Sequence, residues 1–251
     1  MKEAVVAENL TKIFSSGKEK ITAVDQLSFK CFPGEIFGLL GPNGAGKTTT
    51  LRMLATLLTP TNGTAMVNGH DVITSSAEVR ASLGFLATET GLYEGLTPRE
   101  TLHFFGQING MGENEIEARI DYIMDMLDME GFLDRKVAQL STGMKQKMSL
   151  ARSIIHNPPI LIFDEPTYGL DVMTAKTVTD YIKRFQERDK TIIISTHLMN
   201  VARKLCDRLG ILFEGKLEAL GTQEELLEDY GVSDLESLFF SIAEKHQSKE
   251  I

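Results

Sequence analysis

Short apolar segments alternate with longer amphipathic segments along this chain. The short segments are rich in isoleucine, leucine and phenylalanine and lack the apolar and polar alternation of a half-buried strand, so each is predicted to be a strand buried on both faces of a sheet. These segments are EIFGLLG (35–41), PILIFDE (159–165), TIIISTH (191–197) and LGILFEG (209–215).

The longer segments place apolar residues three and four positions apart, which is the spacing that puts them on one face of a helix. These segments are KTTTLRMLATLL (47–58), EIEARIDYIMDMLDM (115–129), KQKMSLARSIIH (145–156) and AKTVTDYIKRFQE (175–187). Buried strands that alternate with amphipathic helices predict an α/β fold with a mainly parallel central sheet.

The length of 251 residues suits one large domain with an inserted subdomain. Residues from about 88 to 157 contain helical patterns without a convincing strand, and they are predicted to form a helical subdomain inserted between strands. We expect the main domain to occupy residues 1–235, with a helix in GTQEELLEDY after Gly221. Residues 236–251 are expected to form a C-terminal tail, amphipathic at first and frayed at its polar end.

The composition is typical of a soluble globular protein. Apolar residues make up 42% and charged residues 24%, as in ordinary soluble proteins, and no apolar stretch reaches the roughly 18 residues of a membrane helix. The first residues lack the apolar centre of a secretory signal, and the two cysteines lack metal-ligand spacing, so we expect reduced thiols in the cytoplasm. A net charge of −9 argues against a nucleic-acid partner.

A glycine-rich loop, GPNGAGKTTT, follows the first buried strand and opens a helical segment. Its residues fit the phosphate-loop pattern of glycine, four residues, glycine, lysine and threonine. Backbone N–H groups, the helix dipole and a lysine together suit a polyphosphate, with Lys47 on the outer phosphates and Thr48 on Mg²⁺. A glycine-rich turn before a capped helix is the alternative. The predicted nucleotide-binding residues are Gly41, Pro42, Asn43, Gly44, Ala45, Gly46, Lys47, Thr48 and Thr49.

Two acidic residues end the second buried strand, in LIFDEP. Ligands bind at the carboxyl edge of open α/β sheets, and this is where Asp164 and Glu165 should lie. Asp164 suits Mg²⁺, and Glu165 can accept a proton from an attacking water, which makes Glu165 the predicted catalytic base. An acidic turn after a strand is the alternative for either residue taken alone.

Three further motifs separate this chain from other nucleotide hydrolases. They are LSTGMKQK (140–147), YGLDV (168–172) and STH (195–197). Together with the phosphate loop and LIFDEP, in this order over residues 3–225, they closely resemble the ABC ATPase family. The resemblance implies a P-loop NTPase core with a mainly parallel sheet, an N-terminal antiparallel β portion and an inserted helical subdomain, with ATP and Mg²⁺ as cofactors.

The resemblance also assigns roles to individual residues. It implies that Phe14 stacks on adenine, that His197 contacts the γ-phosphate as a second catalytic residue, and that Asp171 lies in a loop crossing between subunits. A signature segment would close over ATP held by another subunit, which implies an ATP-dependent homodimer. Its residues are Ser141, Thr142, Gly143 and Met144.

The sequence departs from the family pattern at three places. LSTGM stands where LSGGQ is usual, and Tyr168 stands where serine is usual. Thr88 replaces the glutamine that normally senses Mg²⁺ and the attacking water; either Thr88 reaches the metal through a water and Glu89 compensates, or Thr88 is only a helix cap or turn residue. The motif combination resembles the subgroup that serves sodium-extruding and related export systems.

Two functions of different classes remain at this point. The first is the ATP-hydrolysing subunit of an exporter, held on the inner face of the membrane by a separate integral membrane permease. The second is a soluble nucleotide-gated clamp outside transport, but the long coiled coil of a repair clamp and the duplicated domain of a translation factor are both missing from the sequence. A small-molecule kinase is disfavoured by the signature segment.

Overall fold

A computed structural model of the chain describes residues 3–17, 19–88 and 91–247. Its strands are β1 Val5–Ser16, β2 Glu19–Cys31, β3 Ile36–Leu40, β4 Asn62–Val67, β5 His70–Asp71, β6 Leu83–Leu86, β7 Ile160–Asp164, β8 Thr191–Thr196, β9 Arg208–Phe213 and β10 Lys216–Thr222. Its helices are α1 Lys47–Leu54, α2 Ser76–Ala81, α3 Pro98–Ile108, α4 Glu113–Met126, α5 Thr142–Ile154, α6 Val172–Gln186, α7 Met199–Leu205, α8 Gln223–Tyr230 and α9 Leu235–Gln247.

The strands form two sheets. One sheet has six strands in the order β10-β9-β3-β8-β7-β6, and its strands pair in parallel except for β9 with β10. The other has four strands in the order β2-β1-β4-β5, and all its pairs are antiparallel. The predicted α/β fold, with a mainly parallel sheet and an N-terminal antiparallel portion, is confirmed.

The central strands are buried at every position, as their unbroken apolar sequence predicts. Alternate residues of β7 join different cores: Leu161 and Phe163 pack in the layer that contains α4, α5 and α6. Ile160 and Ile162 pack in the layer between the two sheets, which also holds α1. The carboxyl ends of β3, β7 and β8 therefore sit between two packed layers, where they are held rigidly.

The helical subdomain lies between β6 and β7 and comprises α3, α4 and α5. No strand occurs in its described part, residue 88 and residues 91–157. Helix α3 begins with a capping box: the Thr97 hydroxyl accepts from the Glu100 N–H, and the Glu100 carboxylate accepts from the Thr97 N–H. This cap fixes the point at which the subdomain begins to be helical, nine residues after Thr88.

The segment predicted as a C-terminal tail is mostly helix α9. Leu235, Leu238 and Ile242 are buried against α7, α8 and the end of the parallel sheet. The tail is therefore packed as far as the helix extends, while its last four residues lie outside the described part of the chain. Among the described residues, no helix combines the length and the apolar character that crossing a membrane requires.

Candidate nucleotide site

The phosphate-loop pattern lies where the sequence predicts it, between β3 and α1. Two of its glycines are required by the geometry. A Cβ on Gly41 would collide with the Leu212 carbonyl oxygen, and a Cβ on Gly46 would lie 2.5 Å from the Ala23 carbonyl oxygen. Gly46 also has φ = +98°, in the left-handed region that other residues avoid. These positions let the loop wrap tightly over the end of β3 and lead into the helix.

Lys47 is the first residue of α1, and its ammonium group points back into the loop. Nζ donates to the carbonyl oxygens of Gly41 at 2.7 Å and Pro42 at 3.1 Å, and it lies 3.5 Å from Glu165 Oε1. Burial lowers the pKa of Lys47, and the charge of Glu165 opposes that shift. The ammonium is thus held inside the loop by two loop carbonyl oxygens and by the Glu165 carboxylate, which follows the carboxyl end of β7.

Asp164 ends β7, and it pairs in register with Ser195 on β8. Its Oδ1 accepts hydrogen bonds from Thr48 Oγ1 at 3.0 Å and from Ser195 Oγ at 2.6 Å. The residue is almost completely buried, at 1% exposure, so these hydroxyl donors replace water around its carboxylate. Thr48 and Asp164, which lie 116 residues apart in the sequence, thereby present two oxygen atoms at one point.

Glu165 follows Asp164 in an unusual backbone conformation, with φ = +50°. Its N–H is shared between Ser195 Oγ at 2.9 Å and the Ser195 carbonyl oxygen at 3.2 Å. His197 Nδ1 lies 2.9 Å from Glu165 Oε1, on the same carboxylate oxygen that faces Lys47. The other oxygen, Oε2, is buried and has no hydrogen-bond partner in the described structure. One oxygen of this carboxylate therefore has hydrogen-bonding capacity that no described residue uses.

Lys47, Thr48, Glu165 and His197 line one cleft of about 500 Å³. Tyr168 and His197 meet there in an edge-to-face contact, with ring centroids 6.2 Å apart. Most of the predicted phosphate-loop residues are brought together with both predicted catalytic residues. The lining residues are Ala23, Asn43, Gly44, Ala45, Gly46, Lys47, Thr48, Thr49, Thr88, Glu165, Tyr168 and His197.

Sequence reasoning assigned no role to several residues of this region. Ser195 joins Asp164 to Glu165, whereas the sequence shows it only as part of the STH motif. Ala23 lines the cleft from β2, and Gln146 Nε2 donates to the Pro166 carbonyl oxygen at 2.9 Å. These roles depend on which strands and helices become neighbours. Only Ser195 had a signal in the sequence, because it belongs to the STH motif.

Phe14 lies on β1 and is not among the residues that line this cleft in the described structure. Its ring is 42% exposed, and Lys12 Nζ lies 5.4 Å from the ring centroid. Its strand neighbour β2 contributes Ala23 to the cleft. The Phe14 ring is thus partly exposed on this hairpin with a lysine ammonium over it, and its role in stacking on adenine remains a prediction.

The signature segment lies at the start of α5. Ser141 is the N-cap, and its hydroxyl accepts from the Met144 N–H at 3.3 Å. Gly143 lies against Thr174 of α6, where an added Cβ would be 3.4 Å from the Thr174 methyl carbon. None of the signature residues (141–144) is among the described residues that line the cleft around Lys47. Within one chain the two motifs are thus separate.

Thr88 comes two residues after the end of β6 and lines the cleft. Its hydroxyl donates to the backbone carbonyl oxygen of Asp164 at 3.1 Å. Thr88 is not the cap of the first subdomain helix, because Thr97 caps α3; it lies in a bend, so its alternatives as a turn residue or as a residue that reaches the metal through a water stay predictions. Glu89, the residue expected to compensate for the missing glutamine, lies outside the described residues.

Comparisons with known proteins decide the family. The ABC transporter family profile matches residues 24–168. The chain belongs to the ABC transporter family. It is 38% identical to the ABC transporter ATP-binding protein NatA of Bacillus subtilis over 94% of this chain and 97% of that protein. It is 39% identical to Nod factor export ATP-binding protein I of Paraburkholderia xenovorans over 90% and 74% of the two chains.

Solved structures agree with this assignment. An ATP-binding subunit of an ABC transporter superposes with a TM-score of 0.85 at 27% identity, over 96% of this chain and 99% of that chain. A dimeric post-hydrolysis ATP-binding cassette with bound ADP and Pi superposes with a TM-score of 0.79 at 29% identity, over 87% and 98% of the two chains. This chain is an ATP-binding and ATP-hydrolysing subunit of an ABC membrane transporter.

Proposed function

We propose that this subunit powers export through a separate integral membrane permease, to which it binds on the cytoplasmic face of the membrane. The observation that carries the ATP-driven part of the proposal is the convergence of Lys47, Glu165 and His197 in one cleft beside the Asp164 and Thr48 oxygens. Support for export comes from a relative whose name includes Nod factor export. The motif combination also resembles that of sodium-extruding systems, so Na⁺ is the first cargo to test.

The donor set at the end of β7 fits Mg²⁺. Thr48 Oγ1 and Asp164 Oδ1 are oxygen ligands 3.0 Å apart, which suits a hard cation that favours oxygen and bridges to phosphate. These two residues would hold Mg²⁺, which when bound would neutralise phosphate charge. The backbone N–H groups of the loop and the Lys47 ammonium would hold the outer phosphates. ATP would thus be fixed with its terminal phosphate near Glu165.

Glu165 is proposed as the general base. Its Oε2 has no partner among the described residues, so it can accept the proton of a water that attacks the terminal phosphate. His197 holds the other oxygen, Oε1, and is proposed to contact the γ-phosphate from the same position. Tyr168 packs against the His197 ring and limits its rotation. The protein thereby orients the base and excludes bulk water from one side of it.

A second copy of the chain is proposed to complete the site. Ser141 presents its hydroxyl at the beginning of α5, where the helix dipole also favours an anion. Since the signature segment lies outside the cleft of its own chain, it is free to approach the ATP of a partner. Loss of the γ-phosphate contact after hydrolysis would then allow the dimer to open.

The permease is proposed to dock on the helical subdomain, near residues 91–99. Tyr93 is exposed and packs edge to face with Phe104 of α3. Ile108 lies one turn after Phe104 on α3, and its exposed side chain lines a groove between α3 and the core together with the exposed Leu57. Exposed apolar surface of this extent favours a protein partner.

Replacement of the proposed base tests the catalytic part of the proposal. Glu165→Gln keeps the shape of the side chain but removes its basicity, so ATP turnover should fall by about 10² to 10⁴ while ATP still binds. Glu187→Gln, an exposed residue at the end of α6, is the matched control and should turn over like the wild type. Near-normal turnover by the Glu165 variant would rule out this residue as the base.

Inside-out membrane vesicles that contain the purified subunit and permease test the export part. ATP should drive ²²Na⁺ into these vesicles, and vesicles carrying the Glu165→Gln subunit should accumulate only background label. ATP hydrolysis without Na⁺ uptake would exclude Na⁺ as the cargo while leaving the ATPase assignment intact.

A further inference from the structure

Side chains from the helical subdomain donate hydrogen bonds to the backbone on both sides of Glu165. Thr88 Oγ1 donates to the carbonyl oxygen of Asp164, immediately before Glu165, at 3.1 Å. Gln146 Nε2 donates to the carbonyl oxygen of Pro166, immediately after it, at 2.9 Å. Among the described residues, the Glu165 carboxylate contacts Lys47 and His197 and neither of these two donors, so any effect on it passes through the backbone.

The two donors come from different parts of the subdomain. Thr88 follows β6, where the chain leaves the core, and Gln146 lies on α5, five residues after Ser141. Both line a second cleft, of about 300 Å³, whose lining residues all follow β6 or belong to the helical subdomain. They therefore approach the end of β7 from one direction and attach it to the subdomain at two points.

The backbone at Glu165 needs such support. A non-glycine residue at φ = +50° is disfavoured by steric contact of its Cβ, and it persists only where its surroundings fix it. The Glu165 N–H is bound to Ser195, and the Glu165 carbonyl oxygen accepts from the Tyr168 N–H at 3.0 Å. Pro166 has no N–H to contribute. The two carbonyl contacts complete the restraint of the peptide groups that set the direction of the Glu165 side chain.

We propose that Thr88 and Gln146 are positioning residues for Glu165, a role that rests on the proposed function of Glu165 as the base. Thr88, which replaces the family's usual glutamine, holds the strand end through its hydroxyl. Gln146 holds the following turn and links the signature helix of a chain to that chain's own base. Loss of either contact lets the base leave its reactive geometry, which slows the chemical step without weakening ATP binding.

Variants that remove each hydrogen-bond donor but preserve side-chain size distinguish the effect of these hydrogen bonds from that of packing. Thr88→Val and Gln146→Met preserve size but remove the donors, and each should lower kcat about three- to tenfold, the usual worth of one hydrogen bond, with KM for ATP unchanged. Thr88→Ser keeps the hydroxyl and should restore kcat. Ser149→Ala is the matched control, because Ser149 lines the same cleft but its hydroxyl donates to Lys145 within α5. Melting temperatures confirm that each variant is folded.

Combination with Glu165→Gln shows whether the effect passes through the base. In single-turnover assays, Thr88→Val and Gln146→Met should not lower the residual rate of the Glu165→Gln subunit further, because no base remains to be misplaced. An equal loss in both backgrounds would overturn the proposal, as would unchanged kcat in the two single variants. Near-normal turnover of Glu165→Gln alone would instead contradict the proposed function of Glu165.

Discussion

At the scale of single residues, Ser195 sets the relative positions of two carboxylates. Its fully buried hydroxyl donates to Asp164 Oδ1 and accepts from the Glu165 N–H, so one oxygen atom connects the proposed metal ligand to the backbone of the proposed base. Both neighbours depend on this hydroxyl because water is excluded from the end of β7.

Ser195→Ala should therefore reduce both stability and activity. It removes a donor from a buried carboxylate, a change that costs about 1–3 kcal/mol of unfolding free energy. Urea unfolding and ATP turnover measure the two effects, and we expect both to fall. Ser153→Ala is the control, since Ser153 is also buried but its hydroxyl donates within α5. Equal unfolding free energies for the two variants, with normal turnover, would contradict this role.

Lys47 offers a contrasting prediction, because its described polar contacts are to the loop and to Glu165 rather than to the core. Lys47→Ala should weaken ATP binding about 10- to 100-fold, the worth of a charge-assisted contact, and leave the melting temperature nearly unchanged. Arg52→Ala, at an exposed position of the same helix, should bind ATP normally. Isothermal titration with ATP measures the affinity of each variant. Equal ATP affinities for Lys47→Ala and Arg52→Ala would exclude Lys47 from the phosphate site.

The phosphate loop and the acidic pair could be predicted from sequence because each is encoded locally, by a strand end and the residues directly after it. The roles of Ser195 and Gln146 could not. The first depends on β7 and β8 being neighbours in one particular register, and the second on how α5 packs over the turn at Pro166. Spacing within one segment carries no information about such contacts between segments.

At the scale of elements, the helical subdomain has a packed side and an apolar exposed side. The amphipathic pattern correctly predicted α4 and α5 but gave no prediction for α3, and Ile116, Ile120 and Ile123 of α4 are buried in the core layer. The exposed position of Ile108 could not be predicted in the same way, because an apolar residue in a helix normally indicates the buried face. Its exposure favours the proposed contact with a permease.

Tyr93→Asp with Ile108→Asp should disrupt that contact. Both side chains are more than half exposed, so charge there should leave folding and basal ATPase activity intact while reducing copurification with the permease at least tenfold. Phe240→Asp, on α9 and equally exposed, is the control and should copurify normally. If the double variant still copurifies and supports transport, the docking surface lies elsewhere.

At the scale of the whole molecule, the sheet order explains how distant motifs form one site. Strand β3 lies between β8 and β9, and β7 lies on the other side of β8, so the residues after β3, β7 and β8 share one edge. The hydrophobic pattern predicted the α/β class and the buried strands, but the pattern is the same for any order of these strands. Order and register arise from packing of the complete chain.

Exposed apolar residues follow β7 in the segment that leads into α6, which supports the proposed dimer. Val172 is 84% exposed at the first position of α6, directly after Asp171. Val172→Glu should preserve the fold, because an acidic residue in the first turn interacts favourably with the helix dipole. In a dimer it would bring new negative charge to an interface that already contains ATP, and like charges would oppose closure.

Light scattering of the Glu165→Gln subunit with ATP and Mg²⁺ measures this effect. The Glu165→Gln subunit should be dimeric, and addition of Val172→Glu should make it monomeric at the same protein concentration while ATP still binds to each subunit, because Val172 is not among the described residues lining the cleft. Leu220→Glu, at an exposed position of β10, should leave the dimer intact. A dimer that survives Val172→Glu would place the interface away from the start of α6, because a glutamate buried there would oppose closure.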